Sequence, residues 1–90
     1  MTAKVLDIRT PAEVDEGHIE GAIFVDFRSQ DFAEQIVKLA KNADYIMHCR
    51  SGGRVSEAIP LMRELGFTGE LTNAGGLDDA AAITGLPITY

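Results

Sequence analysis

Met47-His48-Cys49-Arg50-Ser51-Gly52-Gly53-Arg54 joins an apolar run, Tyr45-Ile46-Met47, to a stretch of helical spacing that begins near Arg54. It holds the one cysteine of the chain, and no acidic residue lies between Asp44 and Glu57. Residues 44–48 read as a strand whose continuous apolar character predicts burial on both faces, as in a parallel sheet. Val55, Ala58, Ile59, Met62 and Leu65 mark one face of the following helix, and Gly66 is its stop. Pro60 falls inside that helix, on the side of Glu57, Arg63 and Glu64, where a bend is easiest to accommodate. A buried strand, a glycine-bearing turn and a helix make one α/β unit. In such sheets, sites form beyond the carboxyl ends of the strands. Cys49 stands at that position.

The units on either side repeat the alternation. Residues 4–8 predict a short strand. Thr10 as N-cap, Pro11 at the first helical position and Glu13 completing a capping box predict a helix start, and Gly17 its end. Residues 18–22 read as a loop and residues 23–27 as a second strand, rich in β-branched and aromatic side chains. Phe32, Ala33, Ile36, Val37, Leu39 and Ala40 form an apolar stripe that predicts a helix over about 30–41, with Glu34 and Lys38 paired on its wet face. A strand over 70–73, the Gly75-Gly76 turn, a helix over 77–83 and an extended exit through Gly85-Leu86-Pro87-Ile88 complete the chain. Strands alternating with helices at this spacing indicate a mainly parallel sheet.

Ninety residues make one small domain, read as 1–90, with a modest core. An apolar share of 46% excludes disorder. A net charge of −6 argues against nucleic acid or an anionic membrane as partner. No apolar run is long enough to span a bilayer, and the N-terminus lacks the apolar stretch of a signal peptide. A single cysteine forms no internal disulfide, which makes the reducing cytoplasm the expected location. One cysteine and two distant histidines offer no metal-ligand spacing, so no metal or other cofactor is expected.

A thiol is a nucleophile as thiolate. Backbone N–H groups of Arg50 to Arg54 curling around the sulfur would stabilise that charge, and the helix beginning near Arg54 would add its positive end. Gly52 and Gly53 permit the backbone conformations such a cradle needs. Arg50 and Arg54 can pair with the oxygens of an incoming oxyanion. Taken by itself, a lone cysteine at a strand end is usually just a small apolar core residue; the conjunction of thiol, glycines, arginines and following helix favours the reactive reading. His48 precedes Cys49 on the strand and so points to the opposite face, which argues against a base role. Asp7 with Arg9 reads as a structural hydrogen-bonding pair, and His18 as a structural hydrogen-bonding group.

Cys49-Arg50-Ser51-Gly52-Gly53-Arg54 resembles the active-site loop of single-domain rhodaneses, the sulfurtransferases. The segment from Leu6 to Val14, followed by Glu16-Gly17-His18-Ile19-Glu20-Gly21-Ala22, resembles the N-terminal signature of that family. Asn73-Ala74-Gly75-Gly76-Leu77 and Gly85-Leu86-Pro87-Ile88 resemble its later stretches. The resemblance implies a three-layer α/β/α domain with a mainly parallel central sheet, short at the N-terminus. It also implies Cys49 as catalytic nucleophile and Arg50, Ser51, Gly52, Gly53 and Arg54 as the substrate-binding loop. The implied reaction moves a sulfane sulfur from thiosulfate, or a similar small anionic donor, to cyanide or a thiol through a Cys49 persulfide. Rhodanese-like cell-cycle phosphatases have one more residue between cysteine and arginine. Four residues separate Cys49 from Arg54, which favours sulfur over phosphate. A persulfide carrier or interaction module with little turnover is the alternative, and a small phosphatase the third reading. The chain begins almost at the strand holding the Asp-x-Arg motif. That predicts a bare N-terminal sheet edge, open to pairing with a second copy as a homodimer.

Overall fold

The computed structural model describes residues 3–90. Its elements run β1 (Lys4–Asp7), α1 (Pro11–Asp15), β2 (His18–Ile19), β3 (Ile23–Phe24), α2 (Phe32–Ile36), β4 (Tyr45–His48), α3 (Gly53–Glu64), β5 (Leu71–Asn73), α4 (Leu77–Thr84) and β6 (Ile88–Thr89). Four strands form a parallel sheet in the order β3-β1-β4-β5. β2 and β6 form a separate antiparallel pair, His18 opposite Thr89.

Side chains alternate across a strand, and that alternation builds two unequal cores. Leu6, Ile8, Tyr45, Met47 and Cys49 face α2 and α3, where they pack with Phe32, Ile36, Val55, Ala58 and Met62. Val5 and Ile46 face the other way, against Ile19, Ala80 and Leu77. Helices therefore cover both faces, and the sheet is the middle of three layers. Each fully buried Leu, Ile or Val contributes about 1.5–3 kcal/mol. The larger core therefore anchors β4, and with it the loop that follows.

The sheet corrects one expectation. β1 is interior, held by β4 on one side (Lys4 beside Tyr45, Asp7 beside His48) and β3 on the other (Leu6 beside Ile23). The edges are β3 and β5. The crossovers return the chain to both flanks of β1, so the first strand is not the bare one.

Two elements are shorter than their patterns predict. The α2 stripe continues to Ala40, but the helix ends at Ile36. From Lys38 onward the N–H groups reach back three residues, Lys38 to Gln35 and Leu39 to Ile36, so the chain tightens into turns. Lys38 thus leaves the helix that was to pair it with Glu34. β3 ends at Phe24, yet Val25 N–H still donates to the Asp7 carbonyl and Phe27 N–H to the Ile8 carbonyl. Residues 18–22, expected as a loop, begin with β2, because Ile88 and Thr89 return from the far end of the chain to pair with it. Among the described residues no helix is long and apolar enough to cross a membrane.

Candidate active site

The loop after β4 is fastened at its β4 end by two backbone bonds to the segment that follows β5. Cys49 N–H donates to the Gly75 carbonyl at 3.0 Å, and Ala74 N–H to the Met47 carbonyl at 2.8 Å. Gly52 is the N-cap of α3 with φ +97°, a left-handed conformation that costs other residues about 1–2 kcal/mol. Gly53 is already helical and has open space where a Cβ would be. Only the first glycine of the pair is therefore demanded by the backbone.

This geometry aims donors at the sulfur. Gly52 N–H lies 3.1 Å from Cys49 Sγ. Burial pushes the thiol up. The N–H groups of Val55, Ser51, Gly52 and Arg54 outweigh that effect, and the thiol lies below its ordinary value. Cys49 is 1% exposed. The arrangement can hold a thiolate in a nearly dry setting.

Asn73 latches the loop, a role its sequence position did not reveal. Its Nδ2 donates to the Gly52 carbonyl at 2.9 Å and to Ser56 Oγ at 3.1 Å, while its Oδ1 accepts from Gly75 N–H at 3.0 Å. Gly76 brings the next turn close: a Cβ there would lie 2.6 Å from the Arg50 carbonyl oxygen. An asparagine two residues before a glycine pair is the signal that could have pointed to this latch.

The charges are distributed differently from the sequence expectation. Arg54 is not free. Its Nη1 and Nη2 donate to Glu13 Oε1 and Oε2 at 2.8 and 2.9 Å, a bidentate pair. The Arg54 side chain beside it, with burial opposing and Thr10 adding hydrogen bonds, holds the Glu13 carboxyl down at about 2. Glu13 also completes the predicted capping box with Thr10. Arg50 is 78% exposed and reaches only to 3.8 Å from Glu13. Ser51 is exposed. The loop has no acidic residue of its own, but the fold supplies one from α1.

The remaining polar side chains near the site serve structure. Arg9 Nη2 and Nε donate to Asp7, and Arg9 also donates to the carbonyls of Gly17 and Glu13. This ties the end of β1 to the middle of α1 and to the turn that follows it. His18 Nδ1 meets the Val14 carbonyl at 3.3 Å, and the ring packs edge-on against Phe24. His48 points away from Cys49 into the opposite layer, fully buried. Neither of its ring nitrogens finds a hydrogen-bond partner among the described residues. Burial pushes its pKa down; nearby Asp7 opposes this and Arg9 adds to it.

Two cavities meet at Cys49. One, about 330 Å³, is lined by Arg9, Glu13, Glu16, Gly17, Gly76 and the α4 start. The other, about 300 Å³, is lined by Arg28, Arg50, Ser51, Gly53, Arg54 and Glu57.

A parallel α/β/α sheet with a buried cysteine cradled by backbone N–H groups at the N-terminus of a helix defines a class. The chain belongs to the rhodanese-like domain family, whose model matches residues 1–82. It is 36% identical to thiosulfate sulfurtransferase 16, chloroplastic, of Arabidopsis thaliana, over 93% of this chain and 78% of that protein. It is 31% identical to the thiosulfate sulfurtransferase PspE of Escherichia coli, over 84% of this chain and 72% of that one. Among solved structures, the Rhodanese_3-like domain of an Anabaena protein superimposes with a TM-score of 0.81 at 27% identity, covering 99% and 100% of the two chains. A rhodanese from E. coli, solved with anions, gives 0.74 at 27% identity, covering 98% of each. These likenesses support rhodanese-type sulfur transfer.

Proposed function

We propose that the protein is a thiosulfate-type sulfurtransferase that works through a persulfide on Cys49. The observation that carries this reading is the convergence of backbone N–H groups on a buried sulfur, which lowers the thiol although burial alone would raise it.

The Cys49 thiolate attacks the outer, sulfane sulfur of thiosulfate. A new S–S bond forms, and the S–S bond within thiosulfate breaks. Its electron pair leaves with sulfite, a stable anion that needs no proton. The persulfide's terminal sulfur carries the negative charge, which the loop N–H groups solvate in place of water. Cyanide or a thiolate then attacks that sulfur, and the bonding pair returns to Cys49 as thiolate. No oxidant, reductant or metal enters the balance.

The test is thiosulfate:cyanide turnover and mass spectrometry of wild type beside Cys49→Ser. The expected result is an adduct of about 32 Da on the wild type, with sulfite release, and neither in the variant. Turnover that survives in Cys49→Ser overturns the proposal. A persulfide carrier loaded by a partner is the second reading, favoured by the 1% exposure of Cys49. It predicts the adduct without appreciable turnover.

A further inference from the structure

We propose that Arg28 is the specificity-determining residue for the anionic sulfur donor, which reaches Cys49 through the cavity on the α3 side and not through the one on the α1–α4 side. This rests on the sulfur-transfer reading above and adds a binding residue and a route to it.

The two cavities differ in charge. The α1–α4 side sets Arg9 and Arg50 against Glu13, Glu16, Asp78 and Asp79. Arg9 is already consumed by Asp7, which it meets at 2.8 Å. A dianion approaching there meets an excess of carboxylate. The α3 side sets Arg28, Arg50 and Arg54 against Glu57 alone. One further carboxylate, Asp26, stands nearby, and it accepts the Arg28 backbone N–H at 2.8 Å. The N-terminus of α3, twelve residues long, opens on the same side.

On that side the arginines are not equivalent. Arg54 has both terminal nitrogens on Glu13, so binding a sulfonate there would mean breaking a bidentate pair. Arg50 stands mostly in solvent, loosely shared with the same carboxylate. Arg28 shares a cavity with Cys49, and among the described residues its guanidinium has no ion pair and no hydrogen-bond partner. It comes from the segment between β3 and α2, more than twenty positions before the cysteine, so no local pattern marks it. A planar guanidinium with its donors free suits two sulfonate oxygens of a thiosulfate whose outer sulfur faces Cys49.

The test reads the loading step alone. The fraction of protein carrying the added sulfur after a fixed short incubation, before loading is complete, is measured by mass spectrometry against thiosulfate concentration for wild type, Arg28→Gln, Arg28→Lys and Asp78→Asn. The Gln variant should need about fivefold more thiosulfate for half-loading, the scale of one exposed ion pair. The Lys variant, which keeps the charge but not the planar fork, should fall between wild type and the Gln variant, and Asp78→Asn should stay within about twofold of wild type, since the donor does not pass it. Alkylation of Cys49 by uncharged iodoacetamide should be equal in wild type and Arg28→Gln, which a merely structural Arg28 would not allow. Unchanged half-loading in Arg28→Gln overturns the proposal, as does a parallel loss of alkylation or an equally large shift in Asp78→Asn. If the wild type alkylates but never loads, the sulfur-transfer reading itself fails and this proposal falls with it.

Discussion

Glu13→Gln separates two jobs that one carboxylate performs. Glu13 Oε1 accepts from the Thr10 N–H at 3.1 Å, which caps α1, and both oxygens hold Arg54. An amide oxygen can still cap the helix. The amide nitrogen, however, faces an Arg54 nitrogen with a donor, so the ion pair is lost while the cap persists. Glu13 falls from an ordinary 4.5 to about 2 in the folded chain. At about 1.4 kcal/mol per tenfold, this bounds the contribution near 3 kcal/mol. The pair sits at the rim, with Glu13 13% and Arg54 11% exposed, and screening brings the expected loss to about 2 kcal/mol. Urea titration at neutral pH should show it as a midpoint lowered by about 2 M, for a slope near 1 kcal/mol/M. The sign in acid follows from linkage. A depressed carboxyl contributes fully above 4.5, and its contribution is lost as the pH falls toward 2, so wild type and variant should converge across that window. At the site the effect reverses. Arg54 and Cys49 interact electrostatically, and a guanidinium without its counter-charge favours the thiolate. The pH profile of iodoacetamide alkylation should therefore move to lower pH while stability falls. An unchanged midpoint, a gap undiminished in acid, or a thiol that becomes less acidic would refute the reasoning.

Two further predictions follow from the latch and from the buried histidine. Asn73→Ala removes the bonds to Gly52, Ser56 and Gly75; it should cost about 1–2 kcal/mol in urea and raise the thiol pKa in the alkylation profile, because Gly52 N–H is no longer held. His48 lies below its ordinary 6.5 when folded. The unfolded chain therefore binds the proton first, and stability should fall as the pH drops below about 6.5. His48→Leu should be close to neutral at pH 7 and should flatten that acid slope between pH 7 and 5.5, as read by urea midpoints. A slope that survives the substitution would remove His48 from the account.

What the sequence made legible was local. Thr10-Pro11-Ala12-Glu13 gave the capping box because all its partners lie within one turn. The apolar run before Cys49 and the stripe after Arg54 placed the cysteine between strand and helix by periodicity alone. What it hid was non-local. Glu13 is forty-one positions from Arg54, and no spacing rule joins a helix cap to a distant guanidinium. The β2–β6 pair likewise brings together His18 and Thr89 from opposite ends of the chain. The extent of α2 was misread because its apolar stripe outlasts its hydrogen bonding: Leu39 reaches the core from a turn. Alternation put His48 on the face away from Cys49, but it could not say that the ring would find no hydrogen-bond partner there among the described residues, with Asp7 Oδ2 held off at 3.7 Å.

The near-total burial of Cys49 has a further consequence. In the resting state the sulfur offers almost no surface, so reagents too bulky for the cavities beside Cys49 collide with the loop, and only small ones such as iodoacetamide reach the thiol. An atom bonded to Sγ lies about 2 Å beyond it, and the two cavities that Cys49 helps to line adjoin the sulfur. A persulfide, on the reading proposed above, would then carry the reactive atom to the mouth of the cradle, still within reach of the loop N–H groups. On that reading the empty protein is a shielded thiol and the loaded one an offered sulfur.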